Sequence, residues 1–359
     1  PVDPRGRPAL LGGPRISVGR VRRGTFTAGL AEYEEVATLG RPRVIGEHTS
    51  EDEEGSRLTT IRVALGQIEV SPADVAGNLT RAAGAVTDAQ RSGADLLVLP
   101  EALDVGWADP RAAELAAPLD RGRPLAGLRA AARAASIHVC AGLTERDGDA
   151  VYNTAVLIDP KGEVLLRHRK IHELDFAAEV YAQGDTLTIA ETSRGAVGVV
   201  ICADAFAPGQ ALTRALAQMG AGIIVCPCAW AVPPGFDNEA TPYGDEWRAA
   251  YGAVARDYGI PIVGVSGVGT IERGAWAGYP MIGASIVVGP DGRQMHQMPY
   301  DRPLLEVLEV DVGQPGRLVA PSRLSCAPRR ASGEFTSAGG RLQRLGQGEG
   351  AFVERAAGD

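Results

Sequence analysis

From Ile61 onward, short apolar runs alternate with longer amphipathic stretches, a rhythm that predicts strands separated by helices. Ile61–Ile68 alternates in the period of a strand. Asn78–Ser92 places Leu79, Ala82, Ala83, Val86 and Ala89 on one helical face. Ala94–Leu99 is a continuous apolar run, expected of a strand buried on both faces, and it stops at Pro100-Glu101. A helix over Leu125–Ala135 and a strand through Ile137–Cys140 follow. Val151–Lys170 reads as two strands joined by Asp159-Pro160-Lys161-Gly162, a type I turn sequence. The order then repeats as Val197–Cys202, Gln210–Met219, Gly222–Pro227, Tyr243–Tyr258 and Ile260–Val265. A hairpin, Ile282–Val288 with Gln294–Met298, closes the second half through the similar turn Gly289-Pro290-Asp291-Gly292. Leu304–Val312 supplies a late strand. Two halves of like build predict an α/β domain over residues 59–313, with two sheets back to back and helices outside.

The flanks lack this rhythm. Residues 1–58 are Arg-rich, then acidic at Glu51-Asp52-Glu53-Glu54, and are expected to be a poorly ordered extension or an oligomer-contacting arm. Residues 314–359 are Arg- and Gly-rich and read as a C-terminal arm wrapping a partner subunit. The net charge of −8 gives no electrostatic case for nucleic acid. No apolar run approaches the length of a membrane span. Five cysteines, an odd number set mostly in apolar strands, suit a reducing, cytoplasmic setting, and no apolar leader is evident at the N-terminus.

Composition also picks out one residue. The chain has only two lysines, Lys161 and Lys170, among 36 basic side chains. Lys161 sits at the tip of a turn. Lys170 directly follows Arg167-His168-Arg169, where another arginine would serve unless a compact ammonium is required.

Lys170 ends one strand, Glu101 follows another, and Cys202 ends a third, Gly195-Ala-Val-Gly-Val-Val-Ile-Cys202. Alone, the cysteine would pass for a small core hydrophobe and the charged pair for a structural ion pair. Together at strand ends, they can converge on one rim. A carboxylate there can take a thiol proton, and an ammonium can hold an oxyanion.

These residues and their surroundings resemble the nitrilase superfamily, the carbon–nitrogen hydrolases. The resemblance rests on Leu96-Leu97-Val98-Leu99-Pro100-Glu101, Tyr152-Asn153-Thr154-Ala155, Arg169-Lys170-Ile171-His172 and Val200-Ile201-Cys202-Ala203-Asp204, and spans roughly residues 61–312. It implies a four-layer α-β-β-α sandwich, a homodimer or higher homo-oligomer, and a mechanism without metal or other cofactor. Carried over by position, Glu101 is the general base, Cys202 the nucleophile, and Lys170 with the Ala203 backbone N–H the oxyanion holder. The family's second, substrate-positioning glutamate is best matched in spacing by Glu179, with Glu173 its rival.

The resemblance implies a small-molecule amide or N-carbamoyl substrate. Its alternatives are a nitrile substrate, acyl transfer from the same thioester, or a catalytically silent scaffold. No arginine follows Cys202 closely, so carboxylate anchoring of the carbamoyl-amino-acid type is not expected. Ala203-Asp204 stands where nitrile-cleaving branches carry Trp-Glu, which disfavours a nitrile. Trp107, Phe206 and Trp230, with Trp276, are candidates for an apolar acyl pocket. Asp204 is expected to brace the turn after the nucleophile, and His172 to pack or hydrogen-bond. Cys226-Pro227-Cys228 has no nearby histidine and reads as core packing rather than a metal pair. Gly264–Gly269 lacks the lysine of a phosphate-binding loop.

Overall fold

The computed structural model describes residues 59–175 and 177–313, so the two expected arms lie outside the described residues. The first half runs β1 (Thr59–Gln67), α1 (Val75–Arg91), β2 (Leu96–Val98), a short α2 (Ala112–Leu115), β3 (Ala117–Pro118), α3 (Arg123–Ala135), β4 (His138–Asp147), β5 (Ala150–Ile158) and β6 (Val164–Arg169). The second runs β7 (Ile189–Thr192), β8 (Gly195–Val199), α4 (Ala211–Gln218), β9 (Ile223–Cys228), α5 (Asp245–Tyr258) and β10 (Ile262–Ser266). Strands β11 (Val268–Thr270), β12 (Pro280–Ile282), β13 (Ile286–Val288), β14 (Gln294–Gln297) and β15 (Leu304–Val312) complete it.

The strands form two main sheets of matching order, β15-β1-β2-β4-β5-β6 and β7-β8-β9-β10-β13-β14. In each, three central strands run parallel and the outer ones antiparallel. The parallel links β1-β2, β2-β4, β8-β9 and β9-β10 need crossovers, and α1, α3, α4 and α5 lie in them. The expected repeat is therefore physical. The late strand β15 crosses back to pair with all of β1, from Thr59↔Val312 to Gln67↔Leu304.

Side-chain alternation then sorts the cores. Val63, Leu65, Leu96, Val98, Ala155 and Leu157 of the first sheet pack with Val197, Val199, Val225 and Val263 of the second. Their neighbours Ala64, Leu97, Val139 and Val156 pack instead with Val86, Leu125 and Leu128 of α1 and α3. Ile224, Cys226 and Ile262 pack with Leu216, Tyr251 and Val254 of α4 and α5. Central strands buried on both faces explain why their sequences read as unbroken apolar runs.

Most expected elements appear where the pattern set them, with informative exceptions. Helix α1 starts at Val75, ahead of Asn78, because Asp74 caps it by accepting the Gly77 N–H at 3.0 Å. Both hairpin turns form as expected. Asp159 Oδ1 accepts from Lys161 N at 2.9 Å and Glu163 N at 2.7 Å, and Gly162 takes the left-handed φ of 81° that its place requires. Among the described residues no helix is long and apolar enough to cross a membrane.

Candidate active site

Three chain segments reach one rim of the paired sheets. Glu101 lies three residues past β2, and Cys202 three residues past β8, at the carboxyl ends of parallel strands, where open sheets place ligands. Lys170 follows β6. Two antiparallel steps, β4 to β5 to β6, return that strand to the direction of β2 and so deliver Lys170 to the same rim.

The carboxylate and the ammonium meet directly. Lys170 Nζ donates to Glu101 Oε1 at 2.7 Å, and both side chains are 1% exposed. Asn153, on β5 beside Lys170, donates from Nδ2 to the same oxygen at 2.6 Å. Asn153 also fixes the lysine backbone, accepting the Lys170 N–H at its carbonyl at 2.8 Å. The other carboxylate oxygen, Glu101 Oε2, is buried without a hydrogen-bond partner. Such a group is costly unless a ligand or reacting proton completes it. Close approach is possible because residue 142 is glycine: a Cβ there would sit 2.5 Å from the Glu101 Cα.

Cys202 opens a 3-10 turn, Cys202–Phe206, with a left-handed φ of 42°. That conformation is strained for a side chain with a Cβ, and such strain persists only where the surroundings impose it. Here Asp204 imposes it. Its Oδ2 accepts the Ile201 N–H at 2.9 Å and His168 Nε2 at 2.8 Å, while Oδ1 accepts Ile171 N at 3.0 Å and His172 N at 2.7 Å. One buried carboxylate thus ties the cysteine turn to the imidazole of His168 before Lys170 and to the backbone just after it. The expected brace is present, and it reaches further than its own turn. Burial alone would raise the Asp204 carboxyl, but His168 and the His172 and Ile201 N–H groups hold it below its usual range.

Electrostatics follow from this packing. Burial opposes the Lys170 charge, yet Glu101, Glu173 and Cys202 together hold its ammonium well above the usual lysine value. A hydrogen bond from Cys228 favours the Cys202 thiolate, but burial and the Glu101 carboxylate outweigh it and Lys170, so the resting thiol stays protonated more firmly than usual. A thiol so held needs a base before it can act as a nucleophile.

The two glutamates after the lysine part company. Glu173 is brought beside the Lys170–Glu101 pair: its side chain is 5% exposed, Oε2 lies 3.5 Å from Lys170 Nζ, and neither oxygen has a hydrogen-bond partner. Burial, opposed by Lys170, lifts its carboxyl to about 7, with Glu101 and Asp204 adding to the rise. Glu179, the better match in spacing, lies exposed at the end of the short turn Ala177–Glu179. The reason is local. Asp204 holds Ile171 and His172 inward, and Gly184 N donates to the Lys170 carbonyl at 2.8 Å, which keeps the start of this segment in and leaves Glu179 outside.

The expected aromatic residues occupy two groups. Trp107 lies under the ammonium, 5.8 Å from Lys170 Nζ to ring centroid, and meets Trp276 edge-on at 5.4 Å. Phe206 meets Trp247 at 4.4 Å, and Trp230 stacks beside Trp247 at 4.5 Å and Tyr243 at 5.8 Å. Trp230 is 2% exposed and its indole N–H has no hydrogen-bond partner. Ala203 is buried in the cysteine turn. His172 is half-buried. Residues with no role assigned from sequence also stand here: Asn153, visible only as part of a motif, and Cys228, visible only as core. Among the described residues no cluster of three or more His, Cys, Asp or Glu is arranged to hold a metal ion.

The chain is similar to known proteins of one family. The carbon-nitrogen hydrolase family model matches residues 62–314. A nitrilase from Pyrococcus abyssi is 32% identical over 257 residues, covering 70% of this chain and 90% of the relative. An (R)-stereoselective amidase from Pseudomonas sp is 30% identical over 255 residues, covering 71% of this chain and 86% of the relative. Among solved structures, a carbon-nitrogen hydrolase from Helicobacter pylori G27 superposes with a TM-score of 0.63 at 23% identity, covering 70% of this chain and 89% of that one. An amidase of the nitrilase superfamily from Nesterenkonia AN1 gives 0.61 at 24% identity, covering 71% and 92%. The chain belongs to the carbon–nitrogen hydrolases of the nitrilase superfamily and is an enzyme of that class.

Proposed function

We propose that the enzyme hydrolyses a linear amide or N-carbamoyl group through a thioester on Cys202. One observation carries the reading: the buried Lys170–Glu101 contact at 2.7 Å that leaves Glu101 Oε2 without a partner, on the rim shared with Cys202. Glu101 takes the thiol proton and Cys202 Sγ attacks the carbonyl carbon. Lys170 and the Ala203 backbone N–H stabilise the oxyanion. On collapse the carbon–nitrogen bond breaks, Glu101 returns the proton to nitrogen, and ammonia or an amine leaves. Water, deprotonated by Glu101, then cleaves the thioester and restores the thiol.

Glu173 takes the positioning role that spacing favoured for Glu179. Its two unpartnered oxygens and its place beside Lys170 suit it to hold the substrate amide nitrogen. Trp107 and Phe206 supply apolar surface for the acyl group, with Trp230 backing it.

An amide is favoured over a nitrile by Ala203-Asp204 after the nucleophile and by the relative described as an amidase. The test is ammonia release from a panel of aliphatic amides, aromatic amides, N-carbamoyl amines and nitriles, run beside Cys202→Ala with intact-protein mass. Cys202-dependent release with a transient acyl adduct is the expected result. Release that persists in Cys202→Ala overturns the thioester route, and an adduct that only an added amine resolves replaces hydrolysis with acyl transfer.

A further inference from the structure

The second sheet carries sulfur that this reaction does not use. Strands β8 and β9 pair in parallel as Val197↔Ile223, Gly198↔Ile224 and Val199↔Val225. Beyond Val199 the chain leaves the strand for the Cys202–Phe206 turn, which packs against β9, whose last residue is Cys228. Cys202 packs against the core cluster that holds Val200, Ile224, Cys226 and Cys228. The Cys228 thiol is near enough to the Cys202 sulfur to favour its thiolate. Its own Sγ lies 3.1 Å from the Cys226 carbonyl oxygen and 3.5 Å from Cys226 Sγ. The backbone is pinned as well, since Glu101 N donates to the Cys228 carbonyl at 3.2 Å.

The geometry points to Cys228 as a resolving thiol: when a hydroperoxide oxidises Cys202, the two cysteines close a disulfide that switches the enzyme off and that external thiols reopen. The inference rests on the reading of Cys202 as the reactive thiol. The chemistry balances in two steps. The Cys202 thiolate, its proton taken by Glu101, attacks one peroxide oxygen. The O–O bond breaks, water or an alcohol leaves, and sulfur gains a hydroxyl as it loses two electrons to the peroxide. Cys228 then attacks that sulfur. The S–O bond breaks, the departing hydroxide leaves as water with the Cys228 proton, and the S–S bond forms. Two equivalents of a small thiol reverse it.

The division of labour fits exposure. Cys202 is only half-buried and open to a small oxidant, whereas Cys228 and Cys226 are fully buried. Burial also holds the Cys228 thiol firmly protonated, so it is not itself the peroxide's target. What it offers is proximity: an oxidised Cys202 meets a second thiol before a second peroxide.

The experiment treats the full chain with stoichiometric hydrogen peroxide, alkylates remaining thiols, and maps the unreduced digest by mass. The expected product links the Cys202 and Cys228 peptides, lighter by two hydrogens, with Cys226 alkylated. Activity falls by about tenfold or more and returns with dithiothreitol. In Cys228→Ala the same treatment drives Cys202 to species carrying two or three oxygens, and dithiothreitol no longer restores activity. Wild-type Cys202 found over-oxidised without the cross-link overturns the proposal, as does a Cys226–Cys228 link with Cys202 alkylated. Because the map reads bonds rather than turnover, it answers even if every substrate in the amide panel proves inert.

Discussion

Two consecutive residues, Arg169 and Lys170, each pair with a buried glutamate, and the two glutamates differ in one respect. Side chains alternate across a strand, so Arg169 faces the helices with Thr154, while Lys170 faces the second sheet with Asn153. On the helix side Glu145 is saturated. Its oxygens accept Arg169 at 2.6 and 3.1 Å, Thr154 at 2.7 Å and Arg167 at 3.2 Å, and Arg169 stacks 3.7 Å over Tyr152. On the inner side Glu101 keeps one oxygen unpartnered, and Glu173 keeps two. A saturated carboxylate holds a fold together; an unsaturated one of the same depth has work left for a ligand to complete. Burial and charge alone do not separate them.

Breaking each side gives different readouts. The largest effect is expected at the inner pair: Glu101→Gln and Lys170→Arg should each lower kcat/KM by about a thousandfold or more while the fold survives. Ammonia-release kinetics beside far-ultraviolet circular dichroism would show it, and near-normal turnover in either variant would erase the distinction drawn here.

Next comes the outer pair. Glu145→Ala leaves Arg169 and Arg167 facing a vacated, buried acceptor and should cost about 2–3 kcal/mol in urea unfolding, with turnover per folded molecule unchanged. Glu173→Gln tests the unsaturated class in both currencies. Its carboxyl titrates near 7 when folded, above its unfolded value, so the folded state holds a proton that the unfolded state has already released. Stability contributed by this group is therefore present at low pH and falls as pH rises from about 4.5 to 7. The variant should be more stable than wild type at pH 8, by a few kcal/mol at most, and flatter across that window, while kcat/KM drops about tenfold. Paired thermal melts at pH 5 and pH 8 with kinetics at the higher pH check it. Smallest is Arg169→Lys, which loses the fork and the Tyr152 stack for under about 1 kcal/mol and leaves kinetics alone.

Much of this was legible beforehand. Apolar runs that end abruptly in a charged or nucleophilic residue gave Glu101 and Cys202, and the scarcity of lysine gave Lys170. The doubled order of elements gave the doubled sheet. Strand β7 was not legible: it is four residues at a sheet edge, Ile-Ala-Glu-Thr, too short and mixed for a period to show. Nor was the choice between Glu173 and Glu179, because spacing along the chain says nothing of which way a segment turns. Asp204 decides that turn through N–H groups thirty-odd residues away. Cys228 read as core packing for a similar reason. A cysteine in an apolar strand looks like packing until the fold brings another beside it.

The clamp made by Asp204 bears on how the enzyme comes into being. Its four hydrogen-bond partners straddle both sheets: Ile201 in the cysteine turn, and His168, Ile171 and His172 around the lysine. It holds both the bent turn at Cys202 and the inward fold of the lysine segment. A nascent or partly unfolded molecule, with its sheets apart, has a relaxed cysteine, no base beside it and no ammonium ahead of it. Such a molecule carries an ordinary thiol, and the proposed thioester chemistry can begin only once the two sheets have joined.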